Sequence, residues 1–402
     1  MRESVIVAAV RTPTGKFLGA LKGFTATELG ALVVAEAVRR AGIDPAIVDE
    51  CIMGNVVGAG LGQNPARQAA LNGGLPAHVA ALTINKVCGS GLKAVMLADQ
   101  GIRAGDIDVA VAGGMESMSN APYLLPRVRD GLRMGNAEIV DAMIHDGLWC
   151  AFEQCHMGHS GEVVAEHYKV GRAAQDDYAA HSHQKAARAI TAGGFKDEIL
   201  PYEIDTALPD LASGAIKHKK KIADTDEGPR ADSSMESLAK LRTVFAARGS
   251  VTAGNSSQMS DGAGAVLLMS EKALKKYNVQ PIARFVSFAV AGVPPEIMGI
   301  GPIKAIPKVL SQAGIKADDL DWIELNEAFA AQALAVIKDL GLNADKINPH
   351  GGAIALGHPL GATGAIRAAT LLHGMRRNKQ KWGMVSMCIG TGMGAAGLFE
   401  AL

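Results

Sequence analysis

The chain has 402 residues, more than one core of ordinary size supports, so two or three domains or one large composite body are expected. Forty basic residues balance forty acidic ones and aromatics make up only 4%, which leaves neither a net field to attract nucleic acid or an anionic membrane nor a supply of stacking platforms for bases. With 48% hydrophobic residues and 47 glycines, the composition fits a tightly packed α/β body acting on a small molecule.

In chain order, Met1 to Val7 lacks a basic segment followed by a long apolar stretch, so no secretory signal is expected. No apolar run reaches membrane-spanning length. The apolar run Val5 to Val10, the helical spacing of Leu29, Leu32, Val33, Ala37 and Val38, and then Cys51 to Val57 predict strand, helix, strand. Glycines 58, 60 and 62 follow, but Gln63 stands where a dinucleotide fingerprint needs its third glycine. From Thr83 to Val95 a strand passes through Cys88 and Gly89 into a small-residue helix, Ser90 to Arg103, which leads to the strand Val109 to Ala112. Residues 121–250 are more polar, with a long helix over Gln175 to Ala192 and the basic run Lys217-His218-Lys219-Lys220-Lys221. That stretch reads as an insertion into a more regular scaffold.

The first half then recurs. Ala41-Gly42-Ile43 with Val48-Asp49 returns as Ala313-Gly314-Ile315 with Leu320-Asp321, and the same offset carries Gly89 onto Gly361. Gly361 precedes a second small-residue helix, Ala362 to Met375, and a second apolar strand, Met384 to Met387. Two similar α/β halves are expected, with residues 1–120 and 251–272 forming the first, 121–250 an inserted loop domain, and 273–402 the second.

Four segments carry chemistry. Cys88 would sit at the positive end of a helix, where the dipole lowers a thiol pKa and backbone N–H groups can hold an oxyanion. His358, within the glycine-rich segment Asn348 to Gly364, is a candidate base for that thiol. Cys388 ends a strand among glycines, and Asn326 ends another with an amide able to fix a water or a carbonyl. Cys150, Cys155, His156 and His159 match no standard zinc spacing, so no metal site is expected. The five cysteines form an odd, irregular set that fits reduced thiols and a cytoplasmic protein.

Val87-Cys88-Gly89-Ser90-Gly91-Leu92-Lys93-Ala94-Val95, Asn326-Glu327-Ala328-Phe329-Ala330, the segment Gly351 to Ala365 and Cys388-Ile389-Gly390-Thr391-Gly392-Met393-Gly394 closely resemble, in order, the active-site blocks of the thiolase family. Ala9-Val10-Arg11-Thr12-Pro13, Gly113 to Met118, Thr252 to Ser257 and Met298 to Pro302 extend the likeness over nearly the whole chain. The resemblance implies two βαβαβαββ halves in a five-layer αβαβα sandwich with an inserted loop domain. It implies an acyltransferase in which Cys88 is acylated, His358 activates it and Cys388 is the general acid/base. Asn326, through a water, and His358 would hold an enolate, while the backbone N–H groups of Cys88 and Gly390 would hold the tetrahedral intermediate. Leu148, His156, Met157, Arg230, Ser257, Met298, Ala328 and Phe329 would line the coenzyme A and acyl channel.

The implied substrates are acetyl-CoA, acetoacetyl-CoA or longer 3-ketoacyl-CoA, and CoA, with no separate cofactor and no nucleic acid or membrane partner. Arg127, Arg129 and Arg133 fall where the family carries its tetramer-forming loop, implying a homotetramer, a dimer of dimers. The loop from Arg133 to Gly158 resembles short-chain members and points to acetyl-CoA C-acetyltransferase activity. Thr391, where glycine is usual, resembles the broad-chain 3-ketoacyl-CoA thiolases of fatty-acid β-oxidation, the alternative. His350, where asparagine is frequent, also departs from the common form and is expected beside the chemistry. A non-catalytic acyl-CoA-binding protein would not need Cys88, His358 and Cys388 together, and a decarboxylating condensing enzyme has little use for the second thiol.

Overall fold

The computed structural model describes residues 3–209 and 213–402. Its core strands form one mixed sheet built from two similar halves. In the first, β1 (Ser4–Arg11), β2 (Glu50–Gly54), β3 (Ala80–Ile84), β4 (Val109–Ser117) and β5 (Ser260–Ser270) lie in the order β3-β2-β4-β5-β1. Strand β2 runs parallel to β3 and β4, whereas β5 is antiparallel to both β4 and β1. In the second half, β6 (Ala283–Gly292), β7 (Trp322–Leu325), β8 (Trp382–Ile389) and β9 (Met393–Ala401) lie in the order β7-β8-β9-β6 with the same directions. A lone parallel bridge from Ile323 to Ile347 stands where β3 stands in the first half. The halves meet where β1 pairs antiparallel with β6 through Val5 with Arg284 and Ile6 with Ala283.

Helices fill three layers around these strands. Helices α1 (Ala26–Ala41) and α2 (Pro65–Asn72) cover the outer face of the first half, burying Leu29, Val33 and Ala69 against Val111 and Leu267. Helix α1 starts on a reciprocal cap between Thr25 and Glu28 and stops at Gly42 in the left-handed conformation. Between the halves, α3 (Ser90–Ala104) shares an apolar cluster with the late helix Thr363–Asn378, which includes Leu92, Val95, Ala368 and Leu371. The outer face of the second half is covered by Gly301–Ala313 and Ala330–Leu340, whose Ile306, Val309 and Val336 pack on Ile323 and Leu398. The arrangement is the αβαβα sandwich.

The repeat in the sequence has a structural counterpart at each landmark. Gly42 (φ 66°) and Gly314 (φ 69°) each end a helix, each is followed by a single 3-10 turn, and the turns lead into β2 and β7. The two central helices approach so closely that a Cβ on Gly364 would lie 2.1 Å from the backbone nitrogen of Leu92, and one on Gly91 2.9 Å from that of Ala365. Segment ends differ from expectation at one place that matters: β2 stops at Gly54, and residues 55–57 leave the ladder because their backbone is drawn to a buried carboxylate described below.

Between β4 and β5 the chain forms α4 (Met157–His167), α5 (Arg172–Thr191) and an exposed hairpin of Tyr202–Pro209 with Ile216–Ala223. The lysine run lies on that hairpin, facing solvent, with Lys220 paired to Glu203 at 2.7 Å. Buried Arg11, at the end of β1, clamps this region to the scaffold through Glu198 at 2.6 Å and a two-pronged contact with Asp226 at 2.6 and 2.9 Å. All five cysteines are free. Among the described residues, no helix is long and apolar enough to cross a membrane.

Candidate active site

Cys88 follows Val87, whose φ of 46° is a left-handed conformation that a β-branched side chain adopts only under constraint. Ser90 supplies the constraint: its hydroxyl accepts from the Lys86 N–H at 2.8 Å and donates to the Val87 carbonyl at 2.6 Å. The turn lifts the thiol off the end of α3 and leaves it 9% exposed. Backbone N–H groups of Cys88 itself and of Gly390 point at its sulfur. Gly390 follows β8, the strand that carries the wholly buried Cys388. The same turn includes Thr391 at φ 69°, its hydroxyl donating to the Gly390 carbonyl.

His358 enters on a third segment. Its N–H donates to Gln258 O at 3.0 Å and to Ser260 Oγ at 3.2 Å, which ties it to the start of β5. Gly357 allows this approach: at φ 92°, a Cβ there would stand 2.3 Å from Ser260 Oγ. The ring nitrogen Nδ1 lies 2.6 Å from Thr363 Oγ1, and that hydroxyl donates to Pro359 O at 2.9 Å. Thr363 therefore accepts from Nδ1–H, which leaves the Nε2 lone pair free. The Asn326 amide nitrogen reaches that Nε2 at 3.4 Å, while its buried Oδ1 has no partner. An orphaned acceptor beside an imidazole is the place for an ordered water or a substrate donor.

Two buried carboxylates brace these loops. Glu116 accepts from Asn55 Nδ2 (3.0 Å), Val56 N (3.0 Å), Val57 N (3.1 Å) and Gly361 N (2.8 Å), so it binds the end of β2 to the loop after His358. Glu327 accepts from Ser182 Oγ (2.7 Å), Asn348 Nδ2 (2.8 Å) and Ile354 N (3.1 Å), joining α5 and the His358 segment to the residue after Asn326.

Burial dominates the electrostatics. It pushes the Cys88 thiol up to about 11, outweighing the N–H groups of Gly390 and Cys88 that act in the opposite sense. The thiol depression expected from the helix terminus is thus overturned, because removing the thiolate from water costs more than the helix end returns. Burial first, and the Cys88 sulfur second, raise Cys388 well above the usual thiol range. Burial, then the Arg367 charge, lower His358 to about 3, so its imidazole is neutral near pH 7. The resting site holds two thiols and a neutral base.

A cavity of about 510 Å³ lies beside these groups. His358 lines it directly, with Leu148, His156, Met157, Arg230, Ser257 and Phe329 of the expected channel. Cys88 packs with Met118, Leu148 and Leu360, which are lining residues, and Cys388 packs with the lining residues Met157 and Phe329, so both sulfurs sit behind the same wall. Met298 and Ala328 lie in that second cluster and do not line the space. Phe245, which stacks on His156 with ring centroids 4.8 Å apart, forms part of the wall and went unnoticed in the sequence. Thr363 and Glu116 escaped too, although both fall within quoted blocks. His350 is not beside the chemistry: its half-buried ring lies edge-on against Trp322 (4.9 Å) and Phe195 (5.4 Å), because the turn at Gly351 carries it away from His358.

Profiles of known families match almost the whole chain, the thiolase N-terminal domain over residues 4–272 and the thiolase C-terminal domain over residues 279–401. The chain belongs to the thiolase family. This thiolase is 52% identical over 396 residues, 98% of both chains, to an acetyl-CoA acetyltransferase of Pseudomonas aeruginosa. It is 49% identical to one from Escherichia coli over 100% of both. The crystal structure of the Bacillus anthracis acetyl-CoA acetyltransferase superposes with a TM-score of 0.95 at 43% identity, covering 100% of this thiolase and 99% of that chain.

Proposed function

We propose that this thiolase is an acetyl-CoA C-acetyltransferase, condensing two acetyl-CoA to acetoacetyl-CoA and CoA and catalysing the reverse thiolysis. The observation that carries the reading is a neutral His358 lining one cavity, with Cys88 and Cys388 packed directly behind the lining residues of the same space. Full-length relatives near 50% identity bear that activity in their names.

In the first half-reaction the Cys88 thiol yields its proton to His358 Nε2 as the sulfur attacks the thioester carbonyl. The developing oxyanion takes the N–H groups of Cys88 and Gly390, which already point into this space. The CoA thiolate leaves with the proton from His358, and an acetyl group stays on Cys88. In the second, the Cys388 thiol passes its own proton to His358 Nε2, and the resulting thiolate removes a proton from the methyl carbon of another acetyl-CoA. The enolate oxygen is held by His358, now bearing the proton, and by a water on the orphaned Asn326 Oδ1. The enolate carbon attacks acetyl-Cys88, and collapse breaks the bond to the Cys88 sulfur, which recovers a proton from His358 as acetoacetyl-CoA leaves. A high Cys388 pKa makes a strong base only once the enolate is stabilised in the same step, which couples proton removal to carbon–carbon bond formation.

Leu148, His156, Met157, Arg230, Ser257 and Phe329 would receive the pantetheine arm, with Met298 and Ala328 backing them. Exposed Met134 (97%), Tyr123 (68%) and Ile139 (67%) on the loop before α4 support burial of that loop in a homotetramer, and the free thiols support a cytoplasmic setting. Labelled acetyl-CoA tests the division of roles: Cys388→Ala should accumulate labelled enzyme without condensing, and Cys88→Ala should take up no label. Thiolysis of acetoacetyl-CoA should outpace that of longer 3-ketoacyl-CoA; the reverse order would reject the short-chain assignment.

A further inference from the structure

Two thiols outside the catalytic set face each other behind the wall of the cavity, packed with its lining residues Met157, Phe245 and Phe329. The chain turns back on itself as Trp149–Cys150 pairs antiparallel with Cys155–His156, and the register sets Cys150 directly opposite Cys155. Directly opposed residues in such a pair have Cα atoms roughly 4.5–5.5 Å apart, within the roughly 4.4–6.8 Å that a disulfide spans. The four-residue turn between them is held by Gln154 N donating to Cys150 O at 2.9 Å. The two sulfurs differ in access: Cys150 is wholly buried, whereas Cys155 is partly exposed beside the solvent-facing Phe152. The Glu153 N–H donates to Cys150 Sγ at 3.4 Å, which fixes the position of the buried sulfur at the turn.

From this geometry we propose that Cys150 and Cys155 form an oxidisable dithiol, a modification site whose disulfide alters the wall of the substrate cavity. The chemistry is exchange with a low-molecular-weight disulfide such as oxidised glutathione. The Cys155 thiolate attacks one sulfur of the oxidant and expels one thiolate, which gives a mixed disulfide. Cys150 then attacks the Cys155 sulfur and expels the second, so the protein loses two electrons and two protons while the oxidant becomes two thiols.

The consequence reaches the cavity through the adjoining residues. His156 is the cross-strand partner of Trp149, stacks on Phe245 and caps α4 by accepting from Gly158 N at 3.1 Å. Cys150 also packs in the apolar cluster with Met157, Phe329 and Cys388. Drawing its sulfur to Cys155, at the edge of that cluster, shifts it within the packing and re-aims the His156–Met157 corner. Neither cysteine lines the cavity itself.

The full-length enzyme, titrated with reduced and oxidised glutathione and then alkylated, gives the test by mass spectrometry of the peptide carrying both cysteines. A peptide about 2 Da lighter, unalkylated and restored by dithiothreitol, is expected, while Cys150→Ser should instead hold a glutathione on Cys155. Alkylation of both thiols at every poise, or glutathione on Cys155 with Cys150 still free in the wild type, would overturn the proposal. The effect on the cavity rests on the proposed function and is read separately. The KM for acetyl-CoA should rise about threefold or more on oxidation in the wild type and stay constant in Cys155→Ser. A disulfide without any change in KM would reject control of the cavity and leave the assigned activity untouched.

Discussion

Thr363→Val removes one hydroxyl and changes little else, and it isolates what sets the state of His358. The hydroxyl accepts from Nδ1–H at 2.6 Å in a site where His358 is 4% exposed, so no solvent replaces it. An unpaired buried N–H costs about 1–3 kcal/mol. The penalty falls in full on the tautomer that leaves Nε2 free to accept the Cys88 proton. It grows in the transition state, when Nδ1–H belongs to a developing imidazolium. At about 1.4 kcal/mol per decade, the acylation rate should fall roughly 5- to 150-fold. The assay is the pre-steady-state burst of CoA release from acetyl-CoA, which reports acylation apart from condensation. Thr363→Ser keeps the oxygen and should recover most of the rate. A wild-type burst in Thr363→Val, or a Thr363→Ser as slow as the valine variant, would refute the tautomer argument.

Other perturbations address the scaffold and the charge states. Glu116→Gln offers one acceptor oxygen where the carboxylate offers two, each with two donors, so two N–H groups face an amide and urea denaturation should show a loss of about 2 kcal/mol or more; an unchanged midpoint would show that the loops do not depend on it. Gly364→Ala would drive a methyl to within 2.1 Å of the Leu92 backbone, forcing the central helices apart at a cost of about 1–3 kcal/mol in thermal stability, with loss of turnover because the Cys88 and His358 loops ride on those helices. With its thiol raised to about 11 by burial, Cys88 in the free enzyme should alkylate with iodoacetamide about tenfold faster per pH unit from 7 to 9. A plateau below pH 8 would mean that the N–H groups win over burial. Because burial lowers His358 to about 3, its base form is present at every pH well above that value, and kcat/KM for acylation should show no inflection at the ordinary histidine pKa near 6.5.

Much of the framework was legible because it rests on local rules. The apolar strand runs and the helical spacing of Leu29, Val33 and Ala37 read directly as elements and cores, and Gly42 and Gly314, which marked the repeat, both end helices. The repeat was visible because each half needs a glycine at the same turn and the same crossing. Tertiary quantities were not legible. The direction of the Cys88 pKa depends on how much protein surrounds the sulfur, which a helix-start pattern does not report. Nor could position alone reveal Glu116, an ordinary acidic residue until the strand ends and Gly361 converge on it. His358 was singled out as the base, but His350 in the same glycine-rich run was expected beside it, and the left-handed turn at Gly351 separates the packing ring from the working one.

The seam between the halves includes two strand-paired positions, a glycine-lined helix crossing and the Glu116 contact with Gly361. Cys88 comes from one side of it and Asn326, His358 and Cys388 from the other. Neither side alone can be a working catalyst, and a chain severed in the exposed stretch near Asn278 would have to reassociate before any acetyl group moved. Duplication here has produced an obligate partnership inside a single polypeptide, in which one copy keeps the electrophile's anchor and the other keeps the proton traffic.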